Sequence, residues 1–348
     1  MNAIASVELP FAHGGPPLTG ILRATPEDFC VDEDLGFEPA GEGEHAFVRV
    51  EKRGANTEWV ARQLAGYAGV APGAVSYAGM KDRHAVTRQT YSVHLPGKPD
   101  PDWRALEHAE FRVLDARRHN RKLKRGAHKS NAFRLVLRNL SGDRDAAQRC
   151  LGRIAAAGVP NYFGEQRFGR GGDNLERARA LFGGRRVQRH EQGLLLSAAR
   201  AFLFNRALAE RVRAGNWNAA LEGEVWMLAG SHSIFGPEPL TPAITERLAS
   251  GDIEPTGPMF GDGELRSGGE VALIEQAIAA EQAELVRGLA RNGLRQERRN
   301  LVLRPGEFAA AWLSEDVLEL RFRLSKGSYA TVLARELCRF NAEHEHPE

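Results

Sequence analysis

The sequence predicts an α+β protein in which one domain is interrupted by another. Three observations carry that expectation. The first third alternates apolar and polar residues, as half-buried strands do. The stretch up to about 304 is helix-rich and broken by Gly/Pro clusters. Strand patterning then returns at VLELRFRL (317–324), where Leu318, Leu320, Phe322 and Leu324 alternate, and a helix follows. A chain of 348 residues is long enough for about two domains.

Taken in order, LTGILRATPEDFCVDEDL and HAFVRVEKRG pair Phe29 with Val31 and Val48 with Val50, a spacing that predicts strands. Asn56 and Thr57 can cap TEWVARQLAGYAGV, where Val60, Leu64 and Ala68 recur at helical spacing and Gly69 supplies a stop. APGAVSYAG reads as a turn-rich connection. VTRQTYSVHL then sets Thr87, Gln89, Tyr91, Val93 and Leu95 on one face of a strand. Asp82 therefore falls in a loop between a helix and a strand, where scaffolded catalytic groups commonly sit. NAFRLVLRNL (131–140) is another alternating strand. VPNYFGEQRFGRGGDN (159–174) is rich in Gly, Arg and aromatics, and GSHSIFGPEPLTP and EPTGPMFGDGELRSGGE punctuate the helices after it. After a turn at SKGS, a helix is expected from about Ser328 to Phe340, with Leu333, Leu337 and Phe340 toward a core.

Composition narrows the function. No run of ~18 apolar residues is present, so no membrane span is expected. MNAIASVELPFAHGG lacks the basic and long apolar regions of a secretion signal. The three cysteines, Cys30, Cys150 and Cys338, lie far apart with no C-x-x-C, which argues for a reducing, cytoplasmic setting. No metal site is expected: H-E-x-x-H is absent, and His344 and His346 belong to a polar tail, AEHEHPE. There is no phosphate-binding G-x-x-x-x-G-K-[ST] and no G-x-S-x-G elbow, and GRGGDN lacks the context of a dinucleotide fingerprint.

The net charge of +2 hides a local bias. RRHNRKLKRGAHKSN (117–131) holds seven Lys/Arg and no acid, and RGLARNGLRQERRNLVLR (287–304) holds six Arg against Glu297 alone. Concentrated cations of this kind fit a polyanion partner, most often nucleic acid. A solvated helix face is the competing explanation for either stretch alone.

YAGMKDRHAVTRQT (77–90) sets one carboxylate, Asp82, between Lys81 and Arg83. A turn whose charges cancel is the bland explanation. A nucleophile kept ionised in a partly dry site is the sharp one, because burial favours the neutral acid and adjacent cations oppose it.

The motif G-x-K-D-x-x-A-x-T-x-Q is met by Gly79, Lys81, Asp82, Ala85, Thr87 and Gln89. With PEDFCVDE (26–33), SNAFRLVLR (130–138), VPNYFGEQRFG (159–169) and KGSYATVLAREL (326–337), it resembles the TruD family of tRNA pseudouridine synthases along essentially the whole chain. The resemblance implies a pseudouridine-synthase catalytic domain with a mixed, mainly antiparallel sheet and flanking helices, at 1–158 and 305–348. It implies an α/β TRUD insertion domain at 159–304. It further implies isomerisation of uridine-13 in the D-arm of tRNA with neither metal nor organic cofactor, in a monomer.

Carried over residue by residue, Asp82 matches the nucleophilic aspartate, and Phe29, Asn131 and Tyr329 match positions that hold the target nucleotide. Lys81 is expected to hold Asp82 ionised or to contact phosphate, and Arg83 to contact phosphate. Arg117, Arg118, Arg121, Lys122, Lys124, Arg125 and Lys129, with the 287–304 stretch, are expected to bind the RNA backbone. Aromatic faces can stack a base taken out of its helix, worth roughly 1–3 kcal/mol. An asparagine amide offers a uracil edge both donor and acceptor. Three positions depart from the family pattern: Tyr329 where Phe is expected, Ser130 where Gly is usual, and Arg23 where Lys is common. The alternative function is a non-catalytic RNA-binding or tRNA-folding protein with Asp82 as a turn residue.

Overall fold

The computed structural model describes residues 9–340. Residues 1–8 of the stretch in which no secretion signal is expected, and the tail bearing His344 and His346, lie outside the described residues. The chain forms two compact units, one of residues 17–147, 305–327 and 338–340 and one of residues 9–16, 148–304 and 328–337.

The first unit is built on a mixed sheet of eleven strands. Its main order is Gly306–Ser314, Val317–Ser325, Ser130–Gly142, Phe29–Asp34, Val86–His94, His45–Arg53, Phe111–His119 and Glu107–His108. Phe29–Asp34 runs parallel to Val86–His94, and the other pairings on this path are antiparallel. The helix Thr57–Tyr67 covers one face, burying Val60 and Leu64 against Val48, Val50, Tyr91 and Val93. Register decides what this face carries. Because side chains alternate, Val31 opposite Phe133 and Glu33 opposite Asn131 put all four on one face. Lys52 opposite Thr87 and Val50 opposite Gln89 continue it.

Several expectations need correcting. APGAVSYAG contains the strand Val75–Tyr77, paired with Val86–His94, so the Asp82 loop joins two antiparallel strands and does not follow a helix directly. Three residues are too few to display an alternation. The terminal helix stops at Leu337, and Cys338–Phe340 is a strand parallel to Leu18–Leu22. Leu333 and Leu337 are buried, whereas Phe340 is a half-buried strand residue. Ser130, where Gly is usual, begins the Ser130–Gly142 strand and is not among the described residues with a left-handed backbone.

In the second unit the helix Arg189–Arg213 is the spine, burying Leu195, Ala199 and Leu203 against Asp173–Phe182, Gly269–Glu281 and Ala283–Arg291. It also contains a four-stranded sheet: Ile234–Phe235, Trp226–Leu228, Ile253–Met259 and Glu297–Asn300. Ile253–Met259 includes Pro255 and Pro258, residues that argue against an interior strand, so it read as punctuation.

This sheet changes the meaning of the 287–304 cations. Arg298 is buried, with Nη2 2.8 Å from Glu275 Oε1 and Nη1 2.9 Å from Oε2. It also donates to the Thr256 hydroxyl and carbonyl. Arg299 donates to Asn161 Oδ1 and lies over the Phe163 ring. Arg304 reaches Glu254. These three serve the fold, whereas Arg287, Arg291 and Arg295 are exposed. Removing one partner of a buried pair strands the other charge. Arg298→Ala is therefore expected to destabilise the protein by about 3–5 kcal/mol. Arg295→Ala should stay within about 0.5 kcal/mol of wild type in denaturant unfolding; equal losses would refute the distinction.

Candidate active site

The inward face of the first unit breaks its own hydrophobic pattern. Ala46, Val48 and Val50 are followed by Lys52, and Phe29 and Val31 are followed by Glu33, with both charged side chains buried. A buried charge needs a partner or a hydrogen bond, and each finds one at the loop bearing Asp82.

Four contacts fasten that loop. Lys52 Nζ donates to the Asp82 carbonyl at 2.8 Å. The Thr57 hydroxyl accepts from the Lys81 N–H and donates to Gln89 Oε1, both at 3.0 Å. Gln89 Nε2 donates to the Gly79 carbonyl at 3.2 Å. Gly126 N–H, in the basic stretch, donates to the Ala78 carbonyl at 2.7 Å. The T-x-Q part of the motif thus acts partly as a clamp: Gln89 grips the loop, while Thr87 is buried.

The carboxylate itself is held from elsewhere. Arg23 Nη2 lies 3.0 Å from Asp82 Oδ2, with both side chains partly shielded from solvent. Lys81, the sequence neighbour expected to hold Asp82 ionised or to contact phosphate, turns to Glu33 Oε2 at 2.8 Å and Asn131 Oδ1 at 2.7 Å. Arg83, the other neighbour, is exposed and donates to the Gly54 carbonyl. Adjacent residues on an extended loop point different ways, so sequence proximity to Asp82 did not translate into contact. Arg23, noted as a departure, is the cation in place, and its guanidinium suits a carboxylate partner. It adopts φ +66, a left-handed backbone that costs a non-glycine residue about 1–2 kcal/mol.

Phe29 is 2% exposed, and the Arg23 guanidinium sits 4.0 Å above its ring. The face expected to stack a base therefore supports Arg23. Phe133, beside it, is half-buried and stacks on Phe322. Tyr329 belongs to the other unit. There its hydroxyl accepts from Arg167 Nη2 at 2.6 Å, and its ring meets Phe163 edge-on. A side chain at Gly164 would come within 3.3 Å of that ring.

The basic stretch divides in two. Arg118 pairs with Asp100 and donates to the Gly43, Leu95 and Lys98 carbonyls, which makes it structural. Arg117 pairs with Asp115, and Arg125 lies over Tyr77. Arg121, Lys122, Lys124 and Lys129 are exposed, with no carboxylate within ion-pair distance among the described residues. No cluster of three or more metal-ligating side chains occurs among the described residues, and no helix there is long and apolar enough to cross a membrane.

Sequence reasoning missed Lys52, Glu33 and Thr57. The signal for the first two was a charge in an inward slot of an alternating strand. Burial pushes the Lys52 ammonium down to about 8; Asp82 opposes this shift and Lys81 adds to it. Because the folded value lies below the unfolded one, near 10.5, the folded protein releases this proton first. Wild-type stability relative to Lys52→Met should therefore be flat below pH 8 and rise between pH 8 and 10.5, by up to about 3 kcal/mol. Denaturant unfolding across that range would show a constant difference if Lys52 were solvated.

The family model described as tRNA pseudouridine synthase D (TruD) matches residues 9–175 and 176–337. The protein named tRNA pseudouridine synthase D from Xanthomonas euvesicatoria pv. vesicatoria is 50% identical over 346 residues, covering 94% of each chain. Its namesake from Aeromonas salmonicida is 51% identical over 332 residues, covering 95% of this chain and 94% of that one. A crystal structure of a putative tRNA pseudouridine synthase D from Methanosarcina mazei shares the fold, with a TM-score of 0.71 and 22% identity over 94% of this chain and 95% of that one. With both parts of the family model matched and half of all residues shared with curated members, the chain belongs to the tRNA pseudouridine synthase D (TruD) family.

Proposed function

We propose that this protein isomerises uridine-13 of tRNA to pseudouridine, with Asp82 as the catalytic carboxylate. The observation that carries the reading is a carboxylate fixed by Arg23 on a loop whose backbone is clamped at Gly79, Lys81 and Asp82. An arrangement so restrained presents one oxygen of Asp82 in a fixed direction, which is what attack on a substrate atom requires.

In the reaction the N1–C1′ bond breaks and a C5–C1′ bond forms. The hydrogen at C5 leaves as a proton, and N1 gains one. The target base must first leave the RNA stack. Asp82 adds to C6, bonds to C1′, or removes a ribose proton; each route uses the ionised carboxylate and a base that is detached yet retained. Asn131 reads the base, and Tyr329 supplies a stacking face from its own unit. Arg121, Lys122, Lys124 and Lys129 hold phosphates, their exposure and lack of acidic partners supporting that role. The division into a catalytic part (1–158 and 305–348) and an insertion (159–304) belongs to the same reading.

Tritium release from tRNA labelled at C5 of uridine, with EDTA present, tests the chemistry. Wild type should release tritium. Asp82→Asn should release none and keep its tRNA affinity, because the amide preserves shape and removes the anion. Release by both proteins would leave an enzyme with a different nucleophile, and release by neither an RNA-binding protein. Reversing charge at Lys122 and Lys124 should weaken tRNA binding and flatten its salt dependence, by about one unit of slope for each phosphate no longer neutralised, leaving the modified position unchanged.

A further inference from the structure

The Asn131 amide is not free to choose which end it shows. Its Oδ1 accepts from Lys81 Nζ at 2.7 Å. An ammonium has donors only, so a flipped amide would set Nδ2 against it, donor to donor. Losing a hydrogen bond to a charged group disfavours that flip by at least roughly tenfold. Lys81 is itself anchored: Nζ lies 2.8 Å from Glu33 Oε2, and the two side chains are 6% and 0% exposed. Glu33 is held in turn by the Thr90 N–H at 3.2 Å. Register completes the arrangement, because Glu33 and Asn131 are directly opposed on adjacent strands. Nδ2 has no hydrogen-bond partner among the described residues, and Asn131 is only half-buried.

We propose that Lys81, anchored by Glu33, locks the Asn131 amide with its oxygen inward, so that Nδ2 is offered as a donor and selects a base with a carbonyl at C4, uridine, over cytidine. The proposal rests on the reading that Asn131 meets the target base. Uracil carries an acceptor at C4 and cytosine an amino donor. A donor that cannot invert pairs with the first and opposes the second. An unlocked amide would accept either by rotating, so Lys81 and Glu33 are positioning residues for specificity. A purely structural Asn131, present only to satisfy Lys81, would carry no such preference.

The test is equilibrium binding of full-length tRNA transcripts that differ only in uridine or cytidine at position 13, in the non-reacting Asp82→Asn background. Uridine RNA should bind about tenfold more tightly. Adding Asn131→Asp, which keeps an acceptor for Lys81 and turns a second one outward, should invert the preference. Adding Glu33→Gln with Lys81→Met, which removes the ion pair as a pair, should narrow the gap below about threefold by tightening cytidine binding. The proposal is overturned by equal binding of both RNAs in the starting background or by an unchanged preference in Asn131→Asp. Parallel weakening of both RNAs in the pair variant would also overturn it. If that variant does not fold in a thermal melt, Asn131→Asp alone decides. Wild-type tritium release from C5-labelled tRNA separates the two claims: a base preference without release would sink the isomerase reading and leave the lock standing.

Discussion

Charges buried on the inward face of one sheet govern where the Asp82 loop sits. Lys52 and Glu33 occupy slots that their strands otherwise fill with Val and Phe, and neither reaches solvent. Such groups are tolerated only when paired or hydrogen-bonded. The Asp82 carbonyl answers Lys52, and Lys81 answers Glu33. The loop therefore has a strong reason to pack in one position, because detaching it would leave an ammonium and a carboxylate unpaired in the interior. Arg23 shows the same economy of position: its left-handed backbone is unfavourable alone and is offset by a carboxylate at 3.0 Å and an aromatic ring at 4.0 Å.

The second unit uses buried charge for a different end. Arg211 with Glu224 and Arg298 with Glu275 lie inside it, and burial raises Glu224 to about 7 even against Arg211. Arg299, over Phe163, is pushed down to about 10 by the same desolvation. A cation so enclosed is committed to the protein. One such as Lys122, exposed and with no acidic partner among the described residues, remains available to a phosphate. Local sequence charge cannot separate the two classes, because 287–304 contains Arg295 of the exposed kind and Arg298 of the buried kind three residues apart.

Legibility followed the length and regularity of each signal. Val86–His94 and Val317–Ser325 were readable because nine residues sustain an alternation. Val75–Tyr77 has three residues, and Cys338–Phe340 gains its strand identity only from Leu18–Leu22 at the far end of the chain. Asp82 was legible as a charged residue in a motif, but its partner was not. The contact with Arg23 exists because two distant segments meet, and nothing adjacent to Asp82 encodes it. Lys52 and Glu33 lay open to the reading, since a charge in an inward strand slot is an anomaly with few physical explanations. Lys81 and Arg83 neighbour the carboxylate in sequence, yet their side chains bond elsewhere.

The charges around Asp82 do not cancel. Arg23, Lys52 and Lys81 face Asp82 and Glu33, which leaves one cation in excess. His128, close by, is pushed below its ordinary value, first by burial and then by Lys81, and so adds little charge near neutrality. Lys52 meets a carbonyl and not a carboxylate, so the excess is hydrogen-bonded but not neutralised. It has a use if the bound substrate becomes anionic. On the isomerase reading, breaking N1–C1′ leaves its electron pair on uracil, and cations that need not reorganise stabilise that charge as it forms. Lys52 keeps its proton at neutral pH but, pushed down to about 8 by burial, gives it up in mild alkali. The excess then disappears. The burial that fastens the loop thus also makes the excess cation sensitive to alkali.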